Sequence, residues 1–234
     1  MRQTKIFCDI ADSETIRKFN KKKIVNGFTT NPSLMRKAGA KSYEKYSKHL
    51  LKICNKKPIS LEVFADNLKD MEKQALKINS WGKNIYVKIP ITNTKGVSTI
   101  PVIKDLAKEG VPLNITAILT SSQAIEVVKE INKPSSPIIL SIFAGRIADT
   151  GIDPKITFKE VRDFIGNKEN FKTLWASPRE VYNLYEADHI GANIITITPQ
   201  ILKKTNLFQK DLNEYSLETV KMFYDDAQKN KLEI

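Results

Sequence analysis

Short apolar runs recur along the chain, and each is followed by a stretch with a different apolar spacing. The runs are rich in β-branched and aromatic residues, which predicts strands. They lie at positions 5–9, 24–28, 59–64, 84–89, 111–116, 137–142, 172–176 and 193–197. The stretches between them repeat apolar residues every three or four positions, which predicts helices with one buried face.

The stretch after the third strand shows the helical spacing, at Leu68, Met71, Ala75 and Ile78. Asp66 and Asn67 precede it, and either side chain can cap the first turn. A final amphipathic stretch at about 211–229 predicts one more helix beyond the eighth unit.

Eight strand-and-helix units in one run predict an α/β fold, a (β/α)₈ or TIM barrel with an additional C-terminal helix. No linker or shift in composition interrupts the run, so we expect a single domain over residues 1–234. A doubly wound open sheet is the alternative, although it normally uses fewer strands.

The composition is that of an ordinary globular protein, with 41% hydrophobic and 27% charged residues. No apolar run reaches the roughly 18 residues of a membrane span, and residues 1–14 lack the apolar core of a secretory signal. Two cysteines, Cys8 and Cys54, are too few for a disulfide framework. We therefore expect a cytoplasmic protein without membrane contact.

The net charge is +12, from 38 basic and 26 acidic residues. The basic residues form short scattered runs without interleaved aromatic residues, and no nucleic-acid-binding motif is visible. Such a charge also attracts phosphorylated metabolites, so charge alone does not choose between nucleic acid and sugar phosphate. His49 and His189 have no metal-ligand spacing around them, and no glycine-rich nucleotide loop precedes a helix. We expect no metal and no cofactor.

Polar residues stand near the C-terminal ends of seven predicted strands, where barrel enzymes carry their chemistry. They are Asp9, Asn31, Glu62, Lys88, Asn114, Thr116, Ser141, Arg146, Ser177 and Arg179. Any one of them alone could be no more than a satisfied hydrogen-bonding group. Their recurrence on one edge of the barrel predicts a site.

Lys88 carries the most specific chemistry of this set. It lies in an apolar strand, where the ammonium form loses hydration and the nucleophilic free amine is favoured. A free amine can form a Schiff base with a carbonyl compound. Asp9 and Glu62 could move the protons that this reaction needs. The alternative is a lysine that extends to solvent or pairs with a carboxylate.

Five ordered segments carry a family resemblance. The segment at 26–34, NGFTTNPSL, resembles the transaldolase signature, and YVKIP at 86–90 is similar to that family's Schiff-base lysine motif. The segments LNIT at 113–116, SIFAGRI at 141–147 and ASPR at 176–179 resemble three further motifs of the family. The resemblance extends from about Lys5 to Leu202. It implies a barrel of the class I aldolase type, with the imine on the fourth strand.

The resemblance also implies roles for individual residues. Lys88 would form the imine, Asp9 would act as acid and base on the substrate hydroxyls, and Glu62 and Thr116 would hold the water that relays protons. The residues implied to bind substrate are Asn31 and Asn114 at the ketose, Ser141 at a sugar hydroxyl, Phe143, and Arg146, Ser177 and Arg179 at the phosphate.

Two positions depart from the family pattern. Asn26 stands where many members have Asp, and Pro178 replaces an aromatic residue between Ser177 and Arg179. We expect the proline to reshape the loop that carries Arg179.

The activity implied is that of a transaldolase in the pentose phosphate pathway. It moves a dihydroxyacetone unit from sedoheptulose 7-phosphate to glyceraldehyde 3-phosphate and yields erythrose 4-phosphate and fructose 6-phosphate. A fructose-6-phosphate aldolase is the first alternative. By resemblance, members of that branch have Gln and Tyr at the two positions that are Glu62 and Phe143 here. Recruitment to another sugar pathway and a non-catalytic phosphosugar or nucleic-acid binder remain open.

The partners implied are sugar phosphates, without nucleic acid. The resemblance further implies a homo-oligomer, as a ring or a decamer, with the C-terminal helix as a candidate exchange element.

Overall fold

The computed structural model describes residues 4–131 and 133–231. Within them, eight parallel strands pair in sequence order and close into a barrel, because the last strand pairs with the first. The strands are β1 (Lys5–Asp9), β2 (Val25–Thr29), β3 (Ile59–Glu62), β4 (Ile85–Pro90), β5 (Leu113–Ile118), β6 (Ile138–Ile142), β7 (Phe171–Trp175) and β8 (Ile194–Ile197). The predicted (β/α)₈ barrel is confirmed, and the open-sheet alternative is excluded.

Helices lie between consecutive strands in the sequence, and two more follow the last strand. The first six are α1 (Ser13–Asn20), α2 (Pro32–Lys37), α3 (Tyr43–Cys54), α4 (Leu68–Asn79), α5 (Ile100–Lys108) and α6 (Ser121–Glu130). The others are α7 (Ala144–Ala148), α8 (Pro154–Ile165), α9 (Asn183–His189), α10 (Pro199–Lys203) and α11 (Leu212–Lys229), with a 3₁₀ turn at Lys204–Leu207. None of the helices in the described ranges is long and apolar enough to cross a membrane.

Helix α4 illustrates how the sequence sets these elements. Asn67 is its N-cap, and its side chain accepts a hydrogen bond from the backbone N–H of Asp70 at 2.9 Å. Met71, Ala75 and Ile78 are buried on the face that the apolar spacing predicts. Asp66, the other capping candidate, instead accepts hydrogen bonds from the backbone and side chain of Thr94.

The barrel interior is apolar at one end and polar at the other. Its apolar part is a cluster of Phe7, Ile139, Leu174, Ala176 and Ile194, against which Tyr86 and Phe143 pack. Gly27 on β2 makes room for this cluster, since a Cβ at Gly27 would lie 2.7 Å from the Phe7 ring. Residues two positions further along several of these strands are polar. They lie on the same face as the cluster, because side chains alternate between the two faces of a strand.

The contacts within the chain define two compact units, Met1–Leu202 and Lys203–Ile234. The first contains the barrel. The second contains α11, whose N-cap is Asp211 and whose residues are all exposed or half-buried. The additional C-terminal helix is therefore confirmed. The single domain over 1–234 stays a prediction, and its ends at 1–3 and 232–234 lie outside the described residues.

Candidate active site

A cavity of about 170 Å³ opens at the C-terminal ends of the barrel strands. It is lined by Asp9, Thr29, Asn31, Lys88, Asn114, Thr116, Ser141, Phe143, Arg146, Ala176, Ser177 and Thr196. Nine of the eleven residues predicted for the site are in this lining; Glu62 and Arg179 are outside it. A larger cavity of about 360 Å³ borders α8 and the start of β7. We place the site in the smaller one because it brings the buried amine of Lys88 and the half-buried carboxylate of Asp9 together.

Lys88 and Glu62 form an ion pair inside the barrel. They are register partners on β4 and β3, so their side chains leave the sheet on the same face. Lys88 Nζ lies 3.0 Å from Glu62 Oε2, and the side chains are only 10% and 17% exposed. The lysine also donates a hydrogen bond to the backbone carbonyl of Thr30 at 3.1 Å. The contact with Glu62 is direct, so a proton can pass between the two groups without a bridging water.

Asp9 ends β1 beside two hydroxyl groups. The Thr29 hydroxyl donates a hydrogen bond to Asp9 Oδ1 at 2.7 Å, and Thr29 Oγ1 lies 2.5 Å from Thr196 Oγ1. Burial raises the pKa of Asp9 above its usual range, while the charge of Lys88 and the Thr29 hydrogen bond partly offset this rise. A raised pKa makes the carboxylate a better proton acceptor, as a general base requires.

Asn114 is the centre of a polar network across three strands. Its Nδ2 donates a hydrogen bond to Ser60 Oγ at 2.9 Å, and its Oδ1 accepts one from the Ser141 hydroxyl at 2.6 Å. The two contacts fix the orientation of the amide, because oxygen and nitrogen each have a defined partner. Among the described residues the second N–H of Asn114 makes no hydrogen bond, so it can serve a ligand.

Asn31 and Thr116 present further polar atoms to the cavity. Asn31 is the N-cap of α2, and its Oδ1 accepts a hydrogen bond from the backbone N–H of Leu34 at 2.9 Å. In the part of the chain that the structure describes, its amide nitrogen makes no hydrogen bond and can serve a ligand. Thr116 follows Asn114 on the same face of β5, and its buried Oγ1 makes no hydrogen bond within the described part of the chain.

The first turn of α7 and the β7–α9 connection meet at the rim of the cavity. Gly145 makes their approach possible, since a Cβ there would lie 1.6 Å from the Ser177 carbonyl oxygen. Ser177 has a φ of +59°, in the left-handed region that favours glycine. Arg146 is exposed, with its guanidinium carbon 5.9 Å from the centre of the Phe143 ring. This rim can offer positive charge and a hydroxyl to an anion.

Arg179 is engaged outside the cavity. Its Nε donates a hydrogen bond to Asp149 Oδ1 at 2.9 Å, and its Nη2 contacts Asp149 Oδ2. Its Nη1 donates to Ser177 Oγ at 3.2 Å. The guanidinium holds the pKa of Asp149 below its usual range. The structure therefore places Arg146 and Ser177 at the cavity and Arg179 behind Ser177.

Three hydroxyl-bearing residues of the site were not predicted from the sequence: Thr29, Ser60 and Thr196. The alternation of side chains along a strand could have indicated them, because each lies on the same face of its strand as a residue that points into the barrel. Tyr43 was also missed; its hydroxyl donates to the Glu62 backbone carbonyl at 2.8 Å. In the described residues, no group of three His, Cys, Asp or Glu side chains could hold a metal ion.

Comparisons with known proteins agree with this architecture. The family described as transaldolase/fructose-6-phosphate aldolase matches residues 6–234. A probable transaldolase of Nitrosopumilus maritimus is 34% identical over 231 residues, which cover 98% of this chain and 97% of that protein. A probable transaldolase of Brucella ovis is 36% identical over 219 residues, which cover 92% and 94%.

Two solved structures share the fold at low sequence identity. A 3-hexulose-6-phosphate synthase has a TM-score of 0.59 at 14% identity, over 83% of this chain and 90% of that one. A dihydrodipicolinate synthase of Rhodopseudomonas palustris has a TM-score of 0.58 at 14% identity, over 92% and 79%. These likenesses show the fold alone.

Proposed function

Because the chain belongs to the transaldolase/fructose-6-phosphate aldolase family, we propose that it is a transaldolase that works through an imine at Lys88. It transfers a dihydroxyacetone unit between sugar phosphates. The observation that carries this proposal is the buried amine of Lys88, 3.0 Å from a carboxylate of Glu62, in a cavity that also contains Asp9.

The first step is imine formation. Lys88 transfers its ammonium proton to Glu62, and the free amine attacks C2 of the donor ketose to give a carbinolamine. Glu62 returns the proton to the departing hydroxyl, which leaves as water, and an iminium ion forms. The unpartnered Oγ1 of buried Thr116 can orient that water.

The second step breaks the C3–C4 bond. Asp9 removes the proton of the C4 hydroxyl, the C4 oxygen forms a carbonyl, and the electron pair of the bond moves through C3 to the iminium nitrogen. The aldose product leaves, and the three-carbon unit stays on Lys88 as an enamine. Burial raises the pKa of Asp9, which suits a group that takes a proton here and gives it back later.

The third step transfers the three-carbon unit. C3 of the enamine attacks the aldehyde carbon of the acceptor, and Asp9 returns its proton to the new oxyanion. Water then hydrolyses the iminium ion and releases the new ketose. Asn31 and Asn114 can donate amide hydrogen bonds to the ketose hydroxyls, and Ser141 can contact another hydroxyl of the same sugar.

The phosphate of the substrates binds at the rim. Arg146 and Ser177 line the cavity there, and a guanidinium suits a phosphate because both can form two parallel hydrogen bonds. Arg179 can contact the phosphate only if its guanidinium leaves Asp149, or if the phosphate binds beside Ser177, which Arg179 already contacts. The positive net charge attracts such substrates from a distance. We propose that the enzyme needs no cofactor and forms a homo-oligomer. We also propose that it is cytoplasmic and acts in the pentose phosphate pathway.

A coupled assay tests this function against its alternatives. Purified protein is given sedoheptulose 7-phosphate with glyceraldehyde 3-phosphate, and fructose 6-phosphate formation is measured. In parallel, fructose 6-phosphate is given alone and free dihydroxyacetone is measured. A transaldolase transfers much faster than it releases. Release at the same rate or faster would instead identify an aldolase, and no turnover in either arm would favour a non-catalytic binder.

A further inference from the structure

Thr196, Thr29 and Asp9 form a chain of hydrogen-bonding groups across three neighbouring strands. Thr29 Oγ1 lies 2.7 Å from Asp9 Oδ1 and 2.5 Å from Thr196 Oγ1. Thr29 and Thr196 are 3% and 6% exposed, so water barely competes for these contacts. Strand β1 lies between β2 and β8 in the barrel; Thr29 is the register partner of Asp9, and Thr196 is that of Phe7, two positions before Asp9.

The direction of the two hydrogen bonds follows from the number of hydrogen atoms on each hydroxyl. A threonine hydroxyl has one hydrogen to donate. Thr29 uses its hydrogen on Asp9 Oδ1. The hydrogen between the two threonines therefore comes from Thr196. We propose that Thr196 is a positioning residue that acts through Thr29 to orient the Asp9 carboxylate and keep it ionised. This inference rests on the proposed function, in which Asp9 must begin as a base.

This series of hydrogen bonds affects Asp9 in two ways. It occupies Oδ1, so Oδ2 is the oxygen left to take the proton from the substrate. It also donates to the ionised form, which opposes the effect of burial on the Asp9 pKa. A hydroxyl that itself accepts a hydrogen bond is a stronger donor, so the Thr196 contact strengthens the bond from Thr29 to Asp9.

The other groups around Asp9 are few. Lys88 faces it from β4 and lowers its pKa, while Glu62 pairs with Lys88. Cys8 neighbours Asp9 on β1 and has a pKa raised to about 12, so the thiol stays neutral. Arg146 stands at the rim of the same cavity. The flanking strands β2 and β8 present the two threonines.

The test compares Thr196→Val, which keeps the shape and removes the hydroxyl, with Thr196→Ser, which keeps the hydroxyl. In the full-length protein, we expect Thr196→Val to lower kcat about 2- to 12-fold, the value of one hydrogen bond. The acidic limb of the kcat–pH profile moves to higher pH, KM changes little, and Thr196→Ser restores the profile. Thr173→Val is the control, since Thr173 is a buried threonine on β7 that is not in the cavity lining.

A double-mutant cycle tests the proposed order of the chain. Thr29→Val should move the acidic limb further than Thr196→Val, and adding Thr196→Val to it should change nothing more, because Thr196 acts only through Thr29. Additive effects would contradict the proposal. So would a Thr196→Val profile that matches wild type, or a shift in Thr173→Val of the same size.

Titration of ¹³C-labelled aspartate carboxyl groups by NMR gives a readout that needs no activity. The proposal predicts a higher Asp9 pKa in Thr196→Val than in wild type, and the wild-type value in Thr196→Ser. If the wild-type protein shows no imine at Lys88, the proposed function has failed, and the titration still decides whether Thr196 acts on Asp9. An unchanged Asp9 pKa in Thr196→Val overturns the inference.

Discussion

Lys88 Nζ lies 3.0 Å from Glu62 Oε2, and the two residues are register partners on adjacent strands. The pairing of a lysine with a carboxylate is the structural alternative that the sequence leaves open for Lys88. In the proposed mechanism the contact also serves the chemistry, because the partner of the amine is a base that can take its proton. The same contact explains how a charge is tolerated inside the barrel, and in the proposed mechanism it is also the route by which that charge is removed.

Glu62→Gln tests this role. The amide cannot accept the ammonium proton, so we expect imine formation to slow about 10²- to 10⁴-fold, the range for the loss of a general acid or base. Single-turnover trapping of the imine measures the rate. Glu44→Gln is the control, because Glu44 pairs with Lys48 and Lys77 on the surface. A rate in Glu62→Gln equal to that of the control would show that Glu62 only neutralises Lys88.

Arg146→Ala tests the phosphate site. The loss of a charge-assisted hydrogen bond costs roughly 1.5–3 kcal/mol, so KM for phosphorylated substrates should rise about 10- to 150-fold. KM for unphosphorylated dihydroxyacetone should change little. Arg179→Ala should have a smaller effect because that guanidinium is held by Asp149. Arg17→Ala, at an exposed pair on α1, is the control. Equal effects of Arg146→Ala on both substrate types would refute the assignment.

Phe143→Tyr tests the proposal that the protein transfers the three-carbon unit rather than releasing it as dihydroxyacetone. Phe143 borders the cavity and has no hydroxyl, so it cannot donate a proton to the enamine or orient water beside it. A tyrosine can do both, and we expect the ratio of dihydroxyacetone release to transfer to rise. Glu62→Gln is expected to move the ratio in the same direction. If Phe143 only fills the barrel mouth, Phe143→Tyr changes both rates together or neither.

Gly145→Ala tests the contact between α7 and the β7–α9 connection. The added Cβ would lie 1.6 Å from the Ser177 carbonyl, so the backbone must shift. We expect a loss of about 1–3 kcal/mol in the free energy of unfolding, as for other overpacked sites. The KM for phosphorylated substrates should rise as well, since Ser177 lines the cavity. Gly82→Ala is the control, because the atoms nearest to its added Cβ are 3.6 Å away. Chemical denaturation of both variants checks the difference.

The barrel and much of its polar interior can be predicted from the sequence because both rest on periodicity. Alternation along a strand places Asp9, Lys88 and Ser141 inside, and the C-terminal strand ends are where a barrel carries its site. The structure brings them to one cavity. Their individual chemical roles stay predictions.

Partner choice is harder to predict than position. Thr29 and Thr196 look like ordinary strand residues, since threonine is common in strands for reasons of shape alone. Their contact joins residues 167 positions apart. The Arg179–Asp149 pair, 30 positions apart, likewise follows from how two loops meet, and no local pattern encodes it.

Borohydride trapping tests the central claim most directly. The protein is incubated with fructose 6-phosphate, reduced, digested and examined by mass spectrometry, with Lys88→Arg in parallel. The account predicts one adduct, a reduced three-carbon unit on Lys88 and on no other lysine, and none in Lys88→Arg, because a guanidinium stays protonated. An adduct on a different lysine, or the absence of any adduct in the active wild-type protein, would contradict it.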